Sequence, residues 1–178
     1  METSDEALAR AAAAGDDVAF AKLLERHYDA VFRLAYRLSG SREDAEDVTQ
    51  DVCAALPAKL SGFRAQAQFR TWLWRVVVNA VHDQRRRQTA QTRKAEGWGP
   101  WEIGRQADNA EAAEAAAWLA RAMPLLPLDL RDTLTLVLDG LSHAQAADVL
   151  GISEGTVSWR ISKAKTVLRQ LREREDQS

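Results

Sequence analysis

The segment LSHAQAADVLGISEGTVSWRISKAKTVLRQL, Leu141–Leu171, decides the fold of the C-terminal half. Ser142 is placed as an N-cap, and Gln145 three residues later completes a capping box. Ala146, Ala147, Val149 and Leu150 supply one buried side. Gly151 permits the left-handed backbone of a tight turn, Ile152 plugs the corner, and Ser153 caps a second helix. Along that helix Val157, Ile161, Ala164 and Leu168 point inward at three- and four-residue steps. Its outward set is Thr156, Ser158, Trp159, Ser162, Lys163 and Lys165, a mixture of hydrogen-bonding groups, cations and one large aromatic. A recognition helix needs such a face, because short polar groups reach base edges while cations meet phosphates. The alternative is a solvated surface beside a packing hairpin. Two caps, a glycine turn and this outer surface together read as a DNA-binding helix-turn-helix.

Upstream of this pair, helical periodicity continues almost unbroken. Val18 to Leu38 carries Phe20, Leu23, Leu24, Val31, Leu34, Ala35 and Leu38 at helical spacing, opened by Gly15-Asp16-Asp17 and closed by Ser39-Gly40. Ser41 then caps a second helix with the stripe Ala45, Val48, Val52 and Ala55, which Pro57 is expected to end or kink. "LSGFRAQAQ" reads as a loop. Phe69 to Arg87 forms a third helix with Phe69, Leu73, Val76, Val77, Ala80 and Val81 inward. From Thr89 to Asn109 the periodicity fails, and three glycines and Pro100 mark a linker that also holds Trp98 and Trp101. Glu111–Met123 and Arg131–Leu138 are further helices, with Pro124 and Pro127 between them. The expected fold class is all-α: two helical domains, residues 1–88 and 110–178, joined by a flexible linker over 89–109.

Composition limits the function classes. The 178 residues are 46% hydrophobic and 28% charged, as in a folded protein with a real core. The single cysteine, Cys53, excludes an internal disulfide and any multi-cysteine zinc site, and its apolar neighbours suggest an inert thiol. No apolar run approaches the roughly 18 residues of a membrane span, so no membrane insertion is expected. The N-terminus METSDEALAR lacks the basic start and apolar core of a signal peptide, and a cytoplasmic location follows as an expectation. A net charge of −2 hides segregated blocks. Between Arg42 and Asp51 five acids (Glu43, Asp44, Glu46, Asp47, Asp51) face one cation. Between His82 and Lys94, Arg85, Arg86, Arg87, Arg93 and Lys94 face only Asp83. Between Arg160 and Arg174 six cations face only Glu173. Separate blocks of opposite sign suit more than one kind of partner.

The blocks carry different chemistry. "FRTWLWRVVVNAVHDQRRR", Phe69–Arg87, interleaves Trp72 and Trp74 with Arg70, Arg75, Asn79 and three terminal arginines. Aromatic faces with interleaved cations suit unstacked bases and the phosphates of a single strand. One face of the helix must pack, and one tryptophan goes with it; Trp74, Arg75 and Asn79 are placed on the outer side. On the acidic helix Asp44, Asp47 and Asp51 recur on one face. Such a ladder can be solvated, can meet a basic protein surface, or can bind a metal together with Glu43 and His27. It lacks a fixed histidine or glycine-loop ligand pattern, so no metal and no cofactor is expected.

The order of these parts resembles the bacterial sigma-70 family. "EDAEDVTQDV", "LSGFR" and "FRTWLWRVVVNA" are similar to its second conserved region, and "LPLDLRDTLTLVLDGLSHAQAADVLGISEGTVSWRISKAK" to its fourth. With only a short linker between them, this is the layout of the extracytoplasmic-function, or group-four, sigma factors. The similarity runs from about Val18 to Leu171.

The resemblance implies a sigma factor that binds core RNA polymerase, directs it to promoters and helps melt the minus-ten element, with no catalysis of its own. Asp44, Asp47, Val48, Gln50 and Asp51 match the motif that docks on the clamp helices of the β′ subunit, and the β subunit is a further expected partner. The loop Leu60–Gln68, with Phe63 and Arg64, and the helix with Arg70, Trp72, Trp74, Arg75 and Asn79 match the part that holds the single-stranded minus-ten element. Arg85, Arg86 and Arg87 would meet phosphates. His143, Thr156, Ser158, Trp159, Arg160, Ser162, Lys163 and Lys165 match the reader of the double-stranded minus-thirty-five element. The linker would run through the polymerase cleft, and an anti-sigma factor would hold the protein inactive. Four residues depart from the family pattern. Trp159 replaces a small or polar residue, so it either contacts thymine methyls or shifts the helix in the groove. His143 and Gln145 replace tyrosine and glutamate, and Pro57 interrupts the docking helix. A helix-turn-helix activator or repressor with a helical sensor domain is the alternative reading.

Overall fold

The computed structural model describes residues 3–89 and 110–177, all of whose regular elements are helical. The chain divides into two compact units, Met1–Arg93 and Lys94–Ser178. The expected linker, with Trp98 and Trp101, lies outside the described residues except for Thr89.

The first unit holds α1 (Asp5–Ala13), α2 (Asp17–Ser39), α3 (Arg42–Leu60) and α4 (Phe69–Gln88). Local chemistry sets most of the boundaries. Asp16 caps α2 by accepting from the Val18 and Ala19 amides, and Gly40, with φ of 73°, ends it. Ser41 then accepts from the Asp44 amide to start α3. Side chains of α2, α3 and α4 close the core, with Leu23, Leu34, Leu38, Val48, Val52, Leu60, Phe69, Leu73, Trp74 and Val77 buried.

Two features differ from expectation. Helix α3 runs through Pro57 to Leu60. Pro57 faces solvent, so the amide it lacks belongs to the accessible side, while Leu56 and Leu60 on the other side are buried and hold the last turn in register. Helix α1 was not anticipated at all. Ser4 caps it, Leu8 and Ala9 bury, and its carboxylates act at a distance. Asp5 pairs with Arg26 (2.9 Å) and with His27 Nε2 (2.8 Å). Glu6 accepts the Phe69 amide at 3.2 Å, serving the start of α4, whose own Gln68 supplies no side-chain cap.

The second unit holds α5 (Ala110–Ala122), a 3-10 turn (Met123–Leu125), α6 (Leu128–Leu138), α7 (His143–Leu150) and α8 (Glu154–Asp176). Helix α6 starts three residues before the expected Arg131, because Pro127 adopts the extended cap conformation and leaves Leu128 free to begin the helix. The turn between α7 and α8 follows its sequence signals. Ser142 and Gln145 form the reciprocal capping box, Gly151 takes φ of 67°, and Ser153 accepts from the Thr156 amide. Met123, Leu126, Leu130, Leu136, Ala146, Val149, Val157, Ile161 and Ala164 fill the core beneath. The C-terminal part of α8 is tied to α5: Glu175 accepts from the Trp118 indole N–H, and Arg172 lies 5.3 Å over the Trp118 ring. Among the described residues no helix is long and apolar enough to cross a membrane.

Candidate nucleic-acid and polymerase interfaces

Helix α8 presents its outer side as the sequence orders it, with Ser158, Trp159, Ser162, Lys163 and Lys165 exposed. Several of its polar groups already have partners. His143 Nδ1, on α7, lies 2.9 Å from Ser158 Oγ, and the Thr156 hydroxyl lies 2.8 Å from that of Ser153. Arg160 departs from its expected place among the DNA contacts. It is 21% exposed, its Nε sits 3.5 Å from Asp129 and its Nη1 donates to Thr133, so it turns back onto α6. The reason is angular: one residue past Trp159, the helix has rotated its side chain toward the α6 seam.

In the first unit the loop after α3 is fastened by aromatic rings. Phe63, Phe69 and Trp72 form a triangle with centroid separations of 5.4 to 5.6 Å, and His27 stands 5.3 Å from Phe69. Phe69 is fully buried and therefore anchors Trp72 and Phe63, which remain half-buried at the surface. Arg64, Arg70 and Asn79 are exposed, and Arg75 is half-buried. Trp72, Arg75, Asn79 and Arg86 recur at three-, four- and seven-residue steps, which aligns them along one face of α4.

Trp74 does not belong to that face. At 2% exposure it is core, which corrects its placement on the outer side; Arg70 lies 5.2 Å over its ring. Its neighbour on the sequence, Leu73, is buried as well, so α4 packs a stripe wide enough to take one of the two tryptophans. The three arginines also separate. Arg85 donates to the Leu38 carbonyl at the end of α2, Arg86 pairs with Asp83, and Arg87 lies 3.8 Å from Asp51.

On α3 the acids divide. Asp47, Gln50 and Asp51 are exposed and, with Gln84 and Arg87 of α4, line a shallow polar depression. Asp44 is half-buried, and its Oδ1 accepts from Gln84 (3.2 Å) and Gln88 (2.6 Å). Val48 is 1% exposed and cannot touch a partner surface; its place in the docking motif is corrected to packing beneath it. Gln84 and Gln88 were not singled out from sequence, although their four-residue spacing places both on one side of α4. The metal alternative grouped His27 with the α3 acids, whereas the ring is taken by Asp5 and Phe69. Among the described residues no three His, Cys, Asp or Glu side chains gather as a metal site. Burial pushes the Cys53 thiol up from its ordinary pKa, away from reactivity.

Two helical units, one ending in a helix-turn-helix and the other pairing an acidic helix with an aromatic-basic one, define a sigma-70-type transcription initiation factor. The family models agree: Sigma-70 region 2 matches residues 23–91 and Sigma-70, region 4 matches residues 116–168. ECF RNA polymerase sigma factor SigM of Mycobacterium tuberculosis is 37% identical over 172 residues, covering 96% of this chain and 85% of that protein. RNA polymerase sigma factor CnrH of Cupriavidus metallidurans is 33% identical over 182 residues, covering 96% of this chain and 95% of that one. The solved structure of CnrH in complex with the cytosolic domain of CnrY matches with a TM-score of 0.70 at 28% identity, over 96% of this chain and 98% of that chain. The chain belongs to the extracytoplasmic-function (ECF) RNA polymerase sigma factors.

Proposed function

We propose the following division of labour among the residues of this sigma factor. Asp47, Gln50 and Asp51 on α3 meet the basic clamp helices of the polymerase β′ subunit, because exposed carboxylates at helical spacing complement such a surface. Asp44 contributes by fixing α3 against Gln84 and Gln88. The Phe63–Trp72 edge, with Arg64, Arg70, Arg75 and Asn79, holds the unwound minus-ten strand. Stacking on an aromatic platform offsets the few kcal/mol per base that unstacking costs. Arg86 and Arg87 supply phosphate contacts there. Helix α8 enters the major groove at minus-thirty-five with Ser158, Trp159, Ser162, Lys163 and Lys165, while His143 and Arg160 hold its position. The β subunit is a further polymerase contact, and residues 89–109 link the two units through the polymerase cleft.

The protein works in the cytoplasm, without chemistry of its own, under control of an anti-sigma factor. CnrH, captured with the cytosolic domain of CnrY, supports a protein partner for this chain. The observation that carries the assignment is the joint presence of the α7–α8 reader and the α3–α4 surface on one chain, since a repressor needs only the first. In vitro transcription with bacterial core polymerase on a genomic library tests it. Discrete start sites that appear only when the protein is added are expected. DNA binding without any change in where RNA synthesis begins would favour the repressor.

A further inference from the structure

We infer that Trp159 reads the C5-methyl group of thymine in the minus-thirty-five element, so that specificity there rests on an apolar contact as well as on hydrogen bonds. The inference deepens the proposed role of α8 and depends on it. Its basis is which groups on α8 are already engaged. Ser158 Oγ is held by His143 Nδ1, Thr156 Oγ1 by the Ser153 hydroxyl, and Arg160 by Asp129 and Thr133. Three of the side chains best suited to base-edge hydrogen bonding therefore have internal partners. Trp159 is the opposite case. It is 60% exposed, and no described residue makes a hydrogen bond, aromatic contact or cation–π contact with it.

The position is central to the exposed face. Ser162 and Lys163 lie one turn ahead of Trp159, and Gly155 lies one turn behind. Side chains on a helix lean toward its N-terminus, which is the Gly155 side for Trp159. A Cβ added at Gly155 would meet nothing closer than Ser153 Oγ at 3.8 Å, which leaves that side open for a base edge to approach.

The chemistry of the indole selects the ligand. It has one donor and no acceptor, so it cannot form the bidentate pairs by which Arg reads guanine or Asn reads adenine. Most of its surface is apolar, and thymine is the base that offers an apolar group in the major groove. Lys163 and Lys165, exposed on the same helix, supply sequence-independent attraction to phosphate.

The test uses promoter duplexes obtained by in vitro transcription with bacterial core polymerase and the full chain from a genomic library. Each minus-thirty-five thymine is replaced in turn by deoxyuridine, which removes the methyl and leaves every hydrogen-bonding group. At one or two positions the wild-type protein should lose about three- to tenfold in open-complex formation, the scale of one buried methyl. Trp159→Ala should start weaker on the thymine duplex and show no further loss with deoxyuridine at those positions. That non-additivity is a readout that a merely structural role would not move. Equal sensitivity of both proteins, a wild-type protein indifferent to every replacement, or selected promoters with no thymine in the element would each overturn the inference. If no promoter is selected at all, the sigma-factor assignment of α8 fails and the inference fails with it. Unchanged thermal melting of Trp159→Ala is the control for folding.

Discussion

Ser158 Oγ stands 2.9 Å from His143 Nδ1, so the supporting helix of the helix-turn-helix holds a hydroxyl of the reading helix in place. The contact links residues fifteen apart in sequence and lies at the exposed surface where α7 and α8 meet. His143→Ala should therefore disturb promoter reading more than folding. A surface hydrogen bond of this kind contributes about 0.5–1.5 kcal/mol. Duplex binding by wild type, His143→Ala, Ser158→Ala and the double variant should show strong coupling; purely additive losses would refute the link.

Trp72 and Trp74 are two residues apart and should respond in opposite ways. Trp74→Ala empties a fully buried site and is expected to cost about 3–5 kcal/mol of stability, read as a large drop in melting temperature. Trp72 is half-buried, so Trp72→Ala should melt closer to wild type while losing the ability to open the minus-ten element, measured by permanganate reactivity of unpaired thymines.

The exposed acids of α3 should carry polymerase affinity without carrying the fold. Asp51 and Arg87, at 3.8 Å and both largely solvent-facing, form a pair that contributes at most about 1 kcal/mol to stability. Asp47→Lys should likewise change stability by no more than about 0.5 kcal/mol. The same substitution should weaken binding to core polymerase at least about tenfold, with a smaller salt dependence than wild type. Fluorescence anisotropy with labelled protein checks this; unchanged affinity would move the docking surface elsewhere.

Gly151 joins α7 to α8 with φ of 67°, and a Cβ there would meet no atom within 4 Å. The cost of Gly151→Ala is therefore backbone strain alone, about 1–2 kcal/mol, and Gly151→Asn should cost less because Asn tolerates this conformation. Thermal denaturation of the three proteins should give the order Gly, Asn, Ala.

Where information is local, the sequence was legible. Ser41, Ser142, Ser153, Gly40 and Gly151 set helix ends through hydrogen bonds and torsions that span only a few residues, and boundaries of α2, α3, α7 and α8 follow from them. Three- and four-residue spacing likewise placed Ser158, Trp159, Ser162 and Lys163 on one outer face. Helix α1 escaped because its nine residues hold a single large apolar side chain, Leu8, too few to show a period; what fixes it is Asp5 against Arg26 and His27 and Glu6 against the Phe69 amide, partners 21 to 63 residues away.

By itself, then, the sequence determined an all-helical chain, its helix-turn-helix and the segregation of acidic from aromatic-basic surface, since each depends on periodicity and neighbours. Tertiary structure decided which member of each cluster faces out. Trp74 and Val48 went to the core, Asp44 to Gln84 and Gln88, and Arg160 to Asp129, leaving Asp47, Asp51 and Trp159 exposed and Trp72 half-buried at the surface. Helical spacing marks the direction of a side chain to within a broad sector. Whether that sector is covered depends on where another helix lies, and no local rule contains that position.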